Sequence, residues 1–349
     1  MVQVFGIRKR LLAAEHLDTI GSMQILAIIY SVQGKWKEAE QLEVQVLGIQ
    51  MNLLGAEHPN TLRSMENLAA IYICWGKWND AEMLGVQVLD MRKKLFGAEH
   101  PDNLRIMGNL AVIYVGQGKL NEAEQLEVHL LEIQMSVLGA EHPDTLMYME
   151  SLTVIYVRQG KLNDAEMLAV QVMDMRKKIL GTEHPDTLRS MGNLVAVYTE
   201  QGKLNEAEQL GIQVLDMSKK VFGAEHPDIL NIMEKLVATY SRQGKLNEAE
   251  QLGVQVLDMS KKRFGAEHPF TVRSMKYIAA VYLGQGKRNE AEQLVSLLGA
   301  EHPDTLRSIE NLAIIHKSGK VKIIRKIKIL LPLFGFIFVW YLFISLYIG

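Results

Sequence analysis

Hydrophobic positions along this chain recur at intervals of three and four, and the pattern restarts on a fixed schedule. In residues 98–139, Leu104, Met107, Leu110, Ala111 and Tyr114 trace one face of a helix. His100-Pro101-Asp102 stands before that run. Pro101 suits a first helical position, where its missing N–H has no helical partner to lose. Gly118 closes the run as a residue free to adopt the left-handed C-cap conformation. A second apolar face follows at once through Ala123, Leu126, Leu130, Ile133 and Leu138, and Gly139 ends it. Asn121 with Glu124 three residues on predicts a capping box for this second helix. Asn79, Asn163, Asn205, Asn247 and Asn289 repeat the signal, and Lys37 in the first copy predicts a weaker cap. At about 18 residues the second helix would be about 27 Å long.

The two-helix phrase is punctuated by Gly-Ala-Glu-His-Pro-Asp-Thr-Leu or a close variant. Its histidines are His16, His58, His100, His142, His184, His226, His268 and His302; the first seven are 42 residues apart and the last step is 34. A fixed period of this length predicts an all-α array of stacked hairpins without a single shared core. Ala69, Ala111, Ala196, Ala238 and Ala279/Ala280 on first helices allow close helix approach. Ala39, Ala81, Ala123, Ala165, Ala207, Ala249 and Ala291 do so on second helices. Neither helix hides its apolar face alone, so most of the roughly 1.5–3 kcal/mol per large buried side chain appears only when repeats stack.

The array is predicted to span residues 1–316 in about seven units. Met1 to Leu12 matches only the second half of a second helix. The seventh repeat is eight residues short, which predicts a second helix from Asn289 to Leu298 about 15 Å long. The last unit has only a first helix, Asp304 to His316. Starting and stopping inside repeats predicts a piece of a longer ancestral array, or a reading frame cut at both ends.

Charge changes the picture at one end. The formal net charge is −2, but Lys317, Lys320, Lys322, Arg325, Lys326 and Lys328 follow the last acidic residue, Glu310. Residues 1–316 therefore carry about −8, and an acidic array is a poor nucleic-acid binder. Residues 329–348 are free of charge and long enough, at about 30 Å, to form a C-terminal transmembrane helix. The basic segment 317–328 favours a cytosolic array, in the layout of a tail-anchored protein, with a lean toward the endoplasmic reticulum. The single cysteine, Cys74, excludes an internal disulfide, and no glycosylation sequon occurs; both fit a reducing compartment.

Chemistry is scarce. Ligands must lie about 2 Å from a metal ion, whereas one histidine per stacked repeat spreads them apart, so the histidines read as turn residues ahead of helices. Gly116-x-Gly118 and Gly284-x-Gly286 are helix-end glycines with no strand before them. No phosphate-loop, zinc-protease or serine-hydrolase motif is present. Cys74 reads as a neutral packing residue. No catalytic residue, metal or cofactor is expected.

Leu68 to Glu82, Leu-Ala-x-x-Tyr-x-x-x-Gly-Lys-x-x-Asp-Ala-Glu, resembles a tetratricopeptide repeat. Leu-Gly-x-x-His-Pro-Asp between repeats is similar to the long variant in kinesin light chains and in the repeat tails of STAND-type NTPases. The resemblance implies a right-handed superhelical solenoid whose concave groove binds extended peptides. It implies three groove positions per repeat. The first is an asparagine on the first helix: Asn67, Asn109, Asn193 and Asn311. The second is a basic residue one turn earlier: Arg63, Arg105, Arg189, Arg273 and Arg307. The third is an arginine late in a second helix: Arg92 and Arg176. Ile25, Ser151, Lys235 and Tyr277 depart from the asparagine, and Ser218 and Ser260 from the arginine. The heptad coiled coil of kinesin light chains is absent, which argues against a motor adaptor.

Elementary chemistry points the same way. Arginine and asparagine at i and i+4 share a helix face. An amide pairs with a peptide backbone and a guanidinium forks onto a carboxylate, so the expected partner is a protein or peptide with an acidic segment. The competing expectation is that the arginines pair with Glu66, Glu150 or Glu310 as surface residues. Two functions follow: a non-enzymatic, membrane-tethered interaction scaffold, or the sensor or self-association repeats of a STAND-type signalling ATPase.

Overall fold

The structure, a computed structural model, describes residues 2–296 except 14, 98, 99, 224, 225 and 267. The expected first helix at 304–316, with His302, Arg307 and Asn311, lies outside the described residues. So do the basic segment 317–328 and the predicted span 329–348. Among the described residues all regular structure is helical, and no helix is long and apolar enough to cross a membrane.

The chain divides into two compact units. The first contains α1 (Val2–Leu12), α2 (Leu17–Val32), α3 (Trp36–Leu54), α4 (Pro59–Trp75), α5 (Trp78–Phe96) and α6 (Pro101–Gln117). The division falls inside α7 (Leu120–Leu138). The second unit holds α8 (Pro143–Gln159), α9 (Leu162–Leu180), α10 (Pro185–Gln201), α11 (Leu204–Phe222), α12 (Pro227–Gln243), α13 (Leu246–Phe264), α14 (Pro269–Gln285) and α15 (Arg288–Ser296). Even-numbered helices are the first helices of their repeats. Within each unit consecutive helices pack on one another, from α1 through α6 and from α8 through α15. In the second unit the first helices also pack in file, α8 on α10, α10 on α12, and α12 on α14.

The small residues sit where stacking needs them. Ala39, Ala81, Ala123, Ala165, Ala207, Ala249 and Ala291 on the second helices are all fully buried. In the second unit Leu188, Met191 and Leu194 of α10 join Leu230, Met233 and Leu236 of α12 around Val214 and Val256. In the first unit Ile20, Met23 and Val46 form a smaller cluster. Gly211 lets α12 approach closely, because a Cβ there would stand 2.5 Å from Leu236 Cδ2.

The first helices are capped by histidine. Nδ1 of His16, His58, His142, His184, His226 and His268 accepts the backbone N–H two residues ahead, at 3.2–3.3 Å. The turn-residue expectation thus has a specific form: the imidazole does the work of an N-cap side chain.

The capping-box expectation for the second helices fails. α5, α9, α11 and α13 begin one residue before the asparagine, at Trp78, Leu162, Leu204 and Leu246, and their N-caps are Lys77, Lys161, Lys203 and Lys245 with no side-chain cap bond. α3 starts the same way behind Lys35, so its Lys37 marks no weaker variant. The reason is the two-residue link. Gly202 takes up φ 82, ψ 9, and the Lys203 N–H bonds back to the Tyr198 carbonyl at 2.9 Å. The chain re-enters a helix immediately, leaving the asparagine inside the first turn.

Candidate functional site

Most of the predicted arginine and asparagine positions that the structure describes fall into clusters built around largely buried glutamates. In the second unit Glu150 of α8 is the centre of one. Arg176 of α9 forks onto it, Nη1 to Oε1 at 2.7 Å and Nη2 to Oε2 at 3.0 Å. Ser190 Oγ and Asn193 Nδ2 of α10 also donate to Oε1, at 3.0 and 3.2 Å. Arg189 lies 3.9 Å from Oε2 and 2.9 Å from Asp186. Arg176 is itself buried and donates further to the Ser190 hydroxyl at 2.6 Å.

A second centre is Glu234 of α12. Arg273 of α14 donates to its Oε2 through Nε at 2.9 Å, with Nη2 at 2.7 Å, and also reaches Asn231. Ser274 donates to Oε1 at 2.8 Å. The Arg273 guanidinium lies over the Phe270 ring at 4.6 Å. Burial raises the Glu234 carboxyl above its ordinary value, against the pull of Arg273. Beside it, buried Lys235 donates from Nζ to Asn193 Oδ1 at 2.9 Å. Burial pushes that amine down to about 7. The sequence departure at Lys235 therefore puts a titrating amine in the asparagine row.

In the first unit Glu66 of α4 meets Arg92 of α5 at 2.7 Å and Arg105 of α6 in a shorter contact. Arg92 is buried, whereas the Arg105 side chain is 34% exposed. Asn67 donates to Glu43 of α3 at 3.2 Å. Glu43 is buried, which raises its carboxyl to about 7 despite bonds from Asn67, Ser64 and Gln24. Arg63 is exposed and Asn109 half-buried. Pairing with Glu66 and Glu150, the competing expectation, does occur, but both carboxylates are largely buried. Burial also raises the Cys74 thiol to about 12, which favours its protonated form.

Two features went unread in the sequence. One is a doubled period. Glu66, Glu150 and Glu234 are 84 residues apart, as are their partners Arg105, Arg189 and Arg273. Gly108 and Gly192 fill the glutamate position in the repeats between, and Met147 and Asn231 the arginine position. The other is a clamp between successive repeats. Glu82, Glu166, Glu208 and Glu250 are the very glutamates assigned to capping boxes. Each instead takes the lysine amine and the glutamine amide of the next Gln-Gly-Lys link. Lys119 and Gln117 bind Glu82, Lys203 and Gln201 bind Glu166, Lys245 and Gln243 bind Glu208, and Lys287 and Gln285 bind Glu250. The same lysines lie over Tyr114, Tyr198, Tyr240 and Tyr282 at 5.4–5.7 Å.

A family model described as tetratricopeptide repeat matches residues 18–94, 76–135, 154–220, 186–262 and 228–296. No curated protein matches the chain. Among solved structures, a putative kinesin light chain of Podosopora anserina with nearly identical TPR-like repeats is 33% identical. That match covers 59% of this chain and 97% of that one at a TM-score of 0.49. NprR in complex with its cognate peptide NprX is 12% identical over 87% of this chain and 85% of that one, TM-score 0.54. A STAND protein of Pyrococcus horikoshii with a tetratricopeptide repeat sensor is 14% identical. It covers 84% of this chain and 43% of that one, TM-score 0.51. At such identities the last two likenesses establish the fold alone.

Proposed function

Because the chain belongs to the tetratricopeptide repeat family, we propose that it is a non-enzymatic scaffold holding a protein or peptide partner along the first helices of its repeats. The observation that carries this reading is the fixing of partly exposed guanidinium groups by carboxylates beneath them. Arg105, Arg189 and Arg273 keep side-chain exposures of 34%, 27% and 19% while Glu66, Asp186 and Glu234 hold them. Donors fixed in advance lose little freedom when they meet a ligand. In the second unit Arg176, Arg189 and Arg273 stand against Glu150, Asp186 and Glu234, and Lys235 adds a further amine, which suits an acidic partner segment. The peptide-bound NprR gives the fold a precedent, not a ligand for this chain.

The test is selection of binders from a displayed random-peptide library, then affinity measurement on charge variants. Arg189→Gln should weaken selected acidic peptides by roughly tenfold with helicity unchanged; unaltered affinity would exclude this surface. The reading extends to a membrane tether through residues 329–348, supported by their charge-free run. Deleting them should release the protein from carbonate-washed membranes. The STAND reading gains no separate support from a fold likeness at 14% identity.

A further inference from the structure

The histidine caps form an internal comparison series. To accept a backbone N–H, each Nδ1 must be free of a proton. In four caps an aspartate two residues ahead places a carboxylate 3.6–3.8 Å from that nitrogen: Asp18, Asp144, Asp186 and Asp228. An imidazolium there exchanges its backbone bond for an ion pair. At His58 the residue is Asn60, and at His268 it is Phe270, so neither cap has this reserve.

His268 is the more exacting of the two. It is buried at 6% exposure, whereas His58 is half-buried. Its ring stacks on Phe264 at 4.6 Å, and Phe264 in turn meets Phe270 at 5.8 Å. Among the described residues, two cationic groups stand near it. Arg273 on α14 repels a proton there, and Arg263 from the last turn of α13 lies 5.9 Å from the Phe264 ring. The turn that His268 caps leads directly into Arg273 and Ser274, the two residues that hold Glu234.

We propose that His268 is an acid-released latch: its protonation frees the first turn of α14 and with it the grip of Arg273 and Ser274 on Glu234. The latch stands whether or not this surface binds a peptide. If it does, acid removes Arg273 from the surface. Burial, helped by the Arg273 charge, holds the imidazole down at about 4 against an ordinary 6.5, so the cap is closed at neutral pH. The sign follows. The opened form takes a proton near 6.5 and the closed form refuses it until about 4. Opening therefore becomes more favourable by up to about tenfold per pH unit between those values and levels off below.

Hydrogen exchange of the full chain between pH 7 and 4.5, corrected for intrinsic rates, reads this directly. The first turn of α14 should open with that tenfold-per-unit slope below pH 6.5. The starts of α10 and α12, whose histidines are backed by Asp186 and Asp228, should respond less. His268→Asn keeps a capping side chain that does not titrate and should flatten the response. Phe270→Asp restores the missing carboxylate and should reduce it. A wild-type α14 no more acid-sensitive than α10 and α12, or an undiminished slope in His268→Asn, overturns the proposal. The second outcome would assign the opening to a group other than this imidazole.

Discussion

The two joints of each repeat are secured in opposite ways. Where a second helix gives way to the next first helix, the cap is local: His184 bonds to the N–H of Asp186, and Pro185 begins the helix. Where a first helix gives way to its second, no side chain caps the new helix. Lys203, its N-cap residue, reaches instead to Glu166, 37 residues back. One joint can form within its own segment; the other is complete only when the preceding repeat is in place. A fold with this division cannot finish any hairpin in isolation, so neighbouring repeats should gain stability together, as expected for stacked arrays.

The largest test of the non-local side lies in the buried clusters. Glu150→Ala should cost about 3–5 kcal/mol in a urea titration, because it leaves the Arg176 guanidinium buried without its carboxylate. Replacing both by apolar residues should restore much of the loss; if it does not, the cost comes from packing and not charge. On the local side, His184→Ala should cost about 1 kcal/mol and His184→Asn almost nothing. Equal losses for the two would mean that imidazole packing, not capping, matters. The smallest effect belongs to the exposed clamp. Lys245→Met should lower Tm slightly, and the difference should fade in high salt. Hydrogen bonds from Lys245 and Gln243 hold the Glu208 carboxyl below its ordinary value. Its contribution is therefore present above about 4.5 and lost as pH falls through the lowered value.

Much of the architecture was open to inspection in the residues. The three-and-four spacing and the His-Pro punctuation locate α2 through α14, and buried Ala207 and Ala249 sit where close packing was expected. The capping-box error is instructive. Asn205-x-x-Glu208 has the right letters, yet Glu208 answers to Gln243 and Lys245, a pairing that appears only once repeats are stacked. The candidate surface was half legible. Arg189 and Asn193 lie together as the i, i+4 rule requires, but their dependence on Glu150 was hidden by two habits. Polar residues such as Glu43, Glu234 and Lys235 are assumed to be on the surface until a structure buries them. A search at 42 residues also averages over an alternation at 84.

That alternation bears on how such an array could be inherited. Tandem copies are prone to loss or gain by slippage. Excising one repeat, α10 with α11, would leave Arg176 on Glu150 but set Asn231 and Ile232 where Arg189 and Ser190 stand. Excising two, α10 through α13, would set Arg273 and Ser274 in those places and keep the arginine and serine donors. Gain or loss by pairs of hairpins therefore preserves this second set of donors, and an odd-numbered change does not.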